Sequence, residues 1–265
     1  MDIYSVCYYN NCHQLHLGDG NGNFVTSTIY GLPRANRIVA VDFNNDENLD
    51  VYITSWPTVG TSAGEGQNTL LLGDGNGGFT HQNIPGDIAL SRGVSAADFN
   101  HDGNIDLYVT NYTPYNNMGP AQNNLYLGNG DGTFYAQNIL GDSGQSWGSA
   151  VADYNNDGRL DLYVAQFGYN KIYFGDGTGN FLTSAIHGGN KNSREVISDD
   201  FNGDGNADVY VINYGSQGEL YYGDGNGGFT LNNVLLPSLD ACSSDFNSDG
   251  HADFFLGRTT WNNWY

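Results

Sequence analysis

Short runs with strand chemistry alternate with polar turns along the whole chain, and no helical period of apolar positions competes with them over any useful window. Runs such as 94–98, 106–110 and 125–128 are rich in Val, Leu, Tyr and small residues. Asp-Gly and Asn-Gly pairs separate many of them and supply the positive φ that a tight reversal between two strands needs. The pattern therefore predicts an all-β protein of short antiparallel strands.

Four such strands recur in one order, and we call them A, B, C and D. Strand A has small residues and ends in an acidic loop, as in Val94–Asp98. Strand B is of the Asp-Leu-Tyr-Val type, as in Asp106–Thr110. Strand C ends in Gly, as in Leu125–Gly128, and strand D opens on Phe, as in Phe134–Ile139. The acidic loops begin at residues 42, 98, 153, 200 and 245.

Four-stranded units at this spacing predict a single β-propeller domain over residues 1–265, with about five blades and with calcium-binding A–B loops. The alternative architecture is a parallel β-roll of calcium-binding nonapeptides. Its repeats would be much shorter and contiguous, so we favour the propeller.

Each acidic loop is a nine-residue phrase with oxygen-bearing side chains at positions 1, 3, 5 and 9. Position 6 is Gly in four of the five phrases, whereas the first phrase has Glu47 there. Alternate inward-pointing oxygens and a sharp turn at Gly are typical of a short loop around a hard cation. The predicted ligands of about five Ca²⁺ ions are Asp42, Asn44, Asp46, Asp50, Asp98, Asn100, Asp102, Asp106, Asp153, Asn155, Asp157, Asp161, Asp200, Asn202, Asp204, Asp208, Asp245, Asn247, Asp249 and Asp253.

The alternative for these loops is a hydrogen-bonded Asx turn without metal. We favour calcium because three carboxylates so close together repel one another without a cation. Glu47 makes the first loop the expected weakest site, since a bulky residue at positive φ costs about 1 kcal/mol.

The chain carries a net charge of -21, with 29 acidic and 8 basic residues. This composition argues against nucleic acid and against an anionic membrane surface as partners, because both attract clustered Lys and Arg. No apolar run approaches the ~20 residues that a membrane helix needs, so membrane insertion is not expected.

The segments Ala97–Thr110 and Asn124–Phe134 resemble the FG-GAP/VCBS repeat, which also occurs in the calcium-binding blades of integrin α-subunits and in some fungal lectins. The resemblance extends over nearly the whole chain. It implies a calcium-binding β-propeller and leaves the function open, because the family includes adhesion, lectin, enzyme-appended and structural proteins.

Successive antiparallel strands place the B–C and D–A loops at the end opposite the acidic loops. The aromatic residues Trp56 and Tyr112 close two B strands, and the D–A connections carry Arg37, Arg92 and Arg194, with Trp147 in the matching slot of another blade. Aromatic and Arg side chains suit a glycan or protein ligand. The alternative is that the aromatics pack between blades and the Arg residues neutralise an acidic protein.

No catalytic motif is visible, so we expect a non-catalytic, extracellular or cell-surface protein that acts in adhesion or in glycan or protein binding. One alternative is a structural subunit of an extracellular fibre or surface layer, assembled head-to-tail. Another is a calcium-dependent enzyme acting on polysaccharides, because propellers assemble sites from distant loops.

The strand count is five A, six B, five C and five D, which leaves one B strand spare when five blades close. Either the chain is a piece of a longer protein, or the spare strand pairs with a neighbouring molecule and produces self-association.

Overall fold

A computed structural model describes residues 2–6, 13–32, 34–55, 66–113, 121–235 and 238–257. Regular structure in these ranges is entirely β, which confirms the all-β class, and they include no helix long and apolar enough to span a membrane. The strands are β1 (Ile3–Val6), β2 (His13–Gly18), β3 (Phe24–Ile29), β4 (Ala35–Val41), β5 (Asp50–Ser55), β6 (Thr69–Gly73), β7 (Phe79–Gln82), β8 (Ser91–Ala97), β9 (Asp106–Asn111), β10 (Ala121–Gln122), β11 (Asn124–Gly128), β12 (Phe134–Gln137), β13 (Ser143–Gly144), β14 (Ser146–Ala152), β15 (Asp161–Gly175), β16 (Phe181–Asp199), β17 (Asp208–Asn213), β18 (Gly218–Gly223), β19 (Phe229–Leu235), β20 (Asp240–Ser244) and β21 (Asp253–Gly257).

Two four-stranded sheets show the repeat in its simplest form. The first has the order β4-β5-β6-β7, and the second joins β8, β9, β11 and β12, each pair being antiparallel. These strands correspond to A, B, C and D as the sequence predicts. All residues of the B strands β5, β9 and β17 are buried, because these strands lie inside their sheets and between neighbouring sheets.

The next two units are joined into one six-stranded sheet of order β14-β15-β16-β17-β18-β19. β15 continues without a loop through the short connection after Phe167, and it pairs with β14 and then with β16. The short B–C connection and the following D–A connection lie side by side, with Phe167 opposite Asn192 and Gly168 opposite Lys191. Their backbone groups therefore pair with each other instead of forming separate loops.

The ends of the chain form two smaller sheets, β1-β2-β3 and β20-β21. β1 and β21 are both strands of the B type. The spare strand that the sequence offers is residues 2–9 or 253–260, of which residues 7–9 and 258–260 lie outside the described residues. Cys7 and Cys12 also lie outside them. Cys242 is a free, exposed thiol.

Neighbouring sheets pack face to face through apolar side chains of their middle strands. One cluster joins Tyr52 and Leu70 of the first sheet to Leu107, Val109 and Tyr126 of the second. A similar cluster joins the second sheet to the six-stranded sheet. The A strands β4, β8, β14, the end of β16, and β20 follow one another as neighbours. This arrangement brings the starts of the A strands together.

Buried carboxylates also connect the sheets, and the sequence analysis did not foresee them. Asp87, in the connection between β7 and β8, accepts hydrogen bonds from Asn68 Nδ2 (2.7 Å), from Tyr52 and from Tyr126 Oη (3.0 Å) of the next sheet. Asp142 occupies the equivalent place in the next unit. The repeated Gly-Asp pairs at 86–87 and 141–142 were the available signal.

Candidate functional site

The acidic loops adopt the backbone conformation that the sequence predicts. Position 6 has positive φ in every loop, and so does position 4. Glu47 shares this conformation, with φ of 68°, although it carries a bulky side chain. The φ values at position 6 of the other loops are 87° at Gly103, 83° at Gly158, 86° at Gly205 and 88° at Gly250.

The Asp at position 9 anchors the first four loops to their sheets. In the second loop, Asp106 is fully buried, and its two oxygens accept hydrogen bonds from Phe99 N and Gly128 N, both at 2.8 Å. Asp50, Asp161 and Asp208 make the equivalent bonds. Position 9 therefore joins the A–B loop to the end of strand C, which is a structural role the sequence analysis did not assign.

Positions 1, 3 and 5 bind one another and the loop backbone. Asp98 accepts hydrogen bonds from Asp102 N (3.1 Å) and Gly103 N (2.9 Å), and Asn100 Nδ2 donates to Asp102 Oδ2 (3.0 Å). These are the bonds of the Asx-turn alternative. Within the described ranges, no group of three or more His, Cys, Asp or Glu side chains is arranged to hold a metal ion.

The donor set nevertheless has the chemistry that a hard cation requires. All predicted ligand atoms are oxygens, and each carboxylate keeps lone pairs beyond those that accept the amide hydrogen bonds. Burial raises the pKa of Asp106 and Asp161 to about 6; their backbone hydrogen bonds oppose this, and nearby loop carboxylates add to it. The loops thus hold mutually repelling carboxylates that a cation would relieve.

A cavity of about 200 Å³ lies at the opposite end, where the A strands begin. Four of the six residues that the sequence proposes for ligand binding line it. Trp56 lies outside the described residues, and Tyr112 is adjacent, against Arg92. The lining residues are Asn36, Arg37, Arg92, Trp147, Arg194, Glu195 and Leu239.

β-Bulges bring the side chains to this cavity. The antiparallel register shifts by one residue at Asn36, Arg92, Trp147 and Arg194, near the start of four A strands. A bulge re-aims the extra residue's side chain. The prediction that Arg37 shares the slot of Arg92 is therefore wrong by one residue, because Asn36 is the bulged residue in β4. Arg37 still lines the cavity from the next position.

Alternating cations and aromatic rings surround the cavity. The guanidinium carbons of Arg92 and Arg194 lie 4.1 and 4.5 Å from the ring centroid of Trp147. Arg92 also lies 5.0 Å from Tyr112, and Arg194 lies 3.5 Å from Tyr214. Each contact is within the range of cation–π attraction.

Backbone hydrogen bonds hold the aromatic residues beside the Arg residues. Tyr112 N donates to the carbonyl of Leu90 (2.9 Å), two residues before Arg92. Tyr214 N donates in the same way to Asn192 (2.8 Å), two residues before Arg194. The aromatic residue that closes strand B is therefore held beside the bulged residue of strand A. Tyr214 was not among the predicted ligand-binding residues.

The position after the bulge forms a second layer of the cavity wall. Arg37 makes an ion pair with Glu195 and lies 3.6 Å from Asp240. Burial raises the pKa of the Glu195 carboxyl, although the charge of Arg37 opposes this. In β8 and β14 the residue after the bulge is Gly93 and Gly148. A Cβ atom on Gly93 would lie 2.5 Å from Trp147 O, and one on Gly148 would lie 2.6 Å from Glu195 Oε1. Only Gly permits so close an approach of neighbouring A strands.

These features define an all-β repeat protein with a propeller-like arrangement of antiparallel sheets. The model of the FG-GAP-like repeat matches residues 58–109, 113–164 and 200–256, more than half of the chain. The chain therefore belongs to the FG-GAP-like repeat family, as the sequence resemblance indicated. No curated protein matches the chain.

Among solved structures, the chain is similar to an Agrocybe aegerita lectin that specifically recognises non-reducing terminal N-acetylglucosamine. The two are 17% identical, with a TM-score of 0.64, over 96% of this chain and 70% of the lectin. A GH43_1 enzyme from Xanthomonas citri is 17% identical over 81% of this chain and 78% of its own, with a TM-score of 0.49. A Photorhabdus luminescens Tc holotoxin pore chain is 17% identical over 92% of this chain and 12% of its own, with a TM-score of 0.46.

Proposed function

We propose that this chain is a calcium-stabilised β-propeller that binds glycans without catalysis, outside the cell or at its surface. The glycan binds at the axial cavity, the space lined by the bulged residues at the start of the A strands. The acidic loops at the other end bind calcium and stabilise the scaffold. The observation that carries the binding function is the convergence of Arg92, Trp147 and Arg194 on one cavity.

The spatial order of the A strands supports a five-bladed ring. Contacts run from β4 to β8, β14, the end of β16 and then β20. The contact between Arg37 at the start of the series and Asp240 at its end brings β20 back to β4. In this arrangement the sheet β1-β2-β3 and the pair β20-β21 share the fifth position, which leaves one B strand in excess.

Calcium binding is supported by the conformation and chemistry of the acidic loops. Each would hold one ion through the side-chain oxygens at positions 1, 3, 5 and 9 and the backbone carbonyl of position 7. The ion would neutralise carboxylates that otherwise repel one another in the folded state. Because the ion binds only the folded loop, calcium contributes directly to the stability of the scaffold.

Glycan binding is supported by the composition of the axial cavity wall. Aromatic faces and guanidinium groups are suited to sugar rings and their polar substituents. A lectin of the same fold recognises non-reducing terminal N-acetylglucosamine, which agrees with carbohydrate as the ligand class. The bulges hold the contributing side chains on rigid strands, and this limits the entropy lost on binding.

An enzyme is the second candidate, because Glu195 and Asp240 are two carboxylates beside the cavity. Arg37 contacts both of them, and this supports a role in charge balance. A polysaccharide turnover assay distinguishes the candidates. Release of reducing ends that is lost in Glu195→Gln would establish the enzyme.

The test of the binding function is a glycan array probed with the calcium-loaded protein. Wild type should bind a defined set of glycans, and Arg194→Ala should lose that binding while keeping its melting temperature within a few degrees. Lys171→Ala, which removes a cation that does not line the cavity, is the matched control and should bind as wild type does. Absence of binding to every glycan, or equal binding by Arg194→Ala, would contradict the proposal.

A further inference from the structure

We infer that the axial cavity selects a sugar that carries a carboxylate, a uronic acid unit of a glycan. This inference rests on the proposed glycan-binding function and adds to it the charge and size of the bound unit.

The first observation is the charge of the cavity wall. It contains the guanidinium groups of Arg37, Arg92 and Arg194 and the carboxylate of Glu195, and the Asp240 carboxylate lies 3.6 Å from Arg37 beside it, which leaves three cations against two anions. The chain has only 8 Lys and Arg residues and a net charge of -21, so three Arg residues at one small cavity are a marked local excess of positive charge. An anionic ligand experiences attraction there that a neutral sugar does not.

The second observation is the support of the cations. The guanidinium carbons of Arg92 and Arg194 lie 3.5–5.0 Å from the centroids of aromatic rings, and these contacts restrict their movement. A guanidinium held in place offers a fork of N–H donors that matches the two oxygens of a carboxylate. A Lys residue would offer charge without that geometry.

The third observation is a buried donor. The indole N–H of Trp147 is shielded from solvent and has no hydrogen-bond acceptor among the residues that the structure describes. A buried N–H without an acceptor is costly, so a small movement of the Trp147 ring that exposed this N–H to a ligand oxygen would be favoured. Trp147 lies between Arg92 and Arg194, so an acceptor that reaches this N–H also lies near both guanidinium groups.

The fourth observation is size. A volume of about 200 Å³ lies at the small end of ligand pockets and suits a single sugar ring with its carboxylate.

The test is isothermal titration of the calcium-loaded protein with methyl β-D-glucuronoside, methyl β-D-glucoside and acetate. The glucuronoside should bind at least tenfold more tightly than either comparison compound, with an affinity that falls as salt is raised. Arg194→Lys, which retains the charge, should weaken glucuronoside binding several-fold, and Arg194→Gln should weaken it further. Lys171→Gln removes an equal charge at a residue that does not line the cavity and should leave the affinity unchanged.

The outcomes separate this inference from the proposed function. Equal binding of glucoside and glucuronoside would overturn the acidic specificity and leave glycan binding standing. Acetate binding as tight as glucuronoside would show that the sugar ring contributes nothing, which also overturns the inference. Failure of all three to bind, together with an empty glycan array, would overturn both proposals.

Discussion

Arg37 Nε donates a hydrogen bond of 2.9 Å to Glu195 Oε2, although the two residues are 158 positions apart in the chain. The bond links the first four-stranded sheet to the second half of β16 across the axial cavity. It also neutralises one of the three guanidinium groups there. The charge of the cavity and the association of distant sheets are therefore controlled by the same contact.

Removal of this contact should destabilise the fold. A double-mutant cycle with Arg37→Met and Glu195→Gln should give a coupling free energy of about 1–2 kcal/mol in urea unfolding, since the carboxylate is largely buried while Arg37 is half-exposed. A coupling near zero would show that the pair does not hold the sheets together.

Backbone strain in the first acidic loop should be relieved by Glu47→Gly. Because φ at this residue is 68°, Gly should raise the free energy of unfolding by about 1 kcal/mol. The reciprocal change is Gly103→Ala, at a φ of 87°, where the added Cβ atom would contact no other residue. It should lower the free energy of unfolding by about 1 kcal/mol through backbone strain alone. Urea unfolding in excess calcium measures both; equal stabilities would exclude strain at position 6.

Calcium should account for much of the stability. Chelation should lower the melting temperature, and metal analysis should find about five ions per chain. At a concentration 100 times the dissociation constant, each site adds about 2.7 kcal/mol. Asp157→Ala should reduce the bound calcium by one ion.

Asp176→Ala is the control for that variant, because Asp176 accepts hydrogen bonds inside a Gly-rich C–D turn and is not a predicted ligand. Its calcium content should equal that of wild type. A chain without bound metal, whose melting curve is unchanged by chelator, would contradict the calcium assignment.

The buried Asp87 should produce a pH-dependent component of stability. Burial raises the pKa of its carboxyl above the usual value near 3.8, against the opposing effect of three hydrogen bonds. Between those pKa values the folded chain holds a proton that the unfolded chain releases. The free energy of unfolding contributed by this group therefore falls as the pH rises through that interval.

Asp87→Asn should remove this component and cost about 1–3 kcal/mol near pH 4, because the amide NH2 group cannot accept a hydrogen bond, whereas the hydroxyl oxygen of a protonated carboxyl can. The cost should shrink as the pH is raised. Asp224→Asn serves as the control of opposite sign, since hydrogen bonds from Asn226 and Gly228 lower the pKa of that exposed carboxyl. Parallel pH profiles for wild type and Asp87→Asn would refute this account of Asp87.

The repeat phrases were sufficient to predict the all-β class, the strand order and the turn at position 6 of the acidic loops. Each depends on local residue types such as the Gly at position 6. The one-residue offset between Asn36 and Arg37 could not be read from the pattern, because a bulge depends on how β4 and β5 pair. Aligning Ala35-Asn36 with Ser91-Arg92 would have indicated that Asn36, and not Arg37, corresponds to Arg92.

The continuity of β15 and β16 depends on pairing between two connections that are distant in sequence. The role of Asp87 likewise depends on Tyr126, which is 39 residues later. Such features follow from how sheets meet, and the strand pattern of one unit does not contain that information.

The central claim is that the axial cavity is the glycan site and that the acidic loops are a metal-bound scaffold at the other end. A crystal structure of the protein with calcium and methyl β-D-glucuronoside tests it most directly. We predict the sugar carboxylate beside Arg92, Trp147 and Arg194, and a cation in each acidic loop. A sugar bound between neighbouring sheets, with the axial cavity filled only by water, would contradict the account.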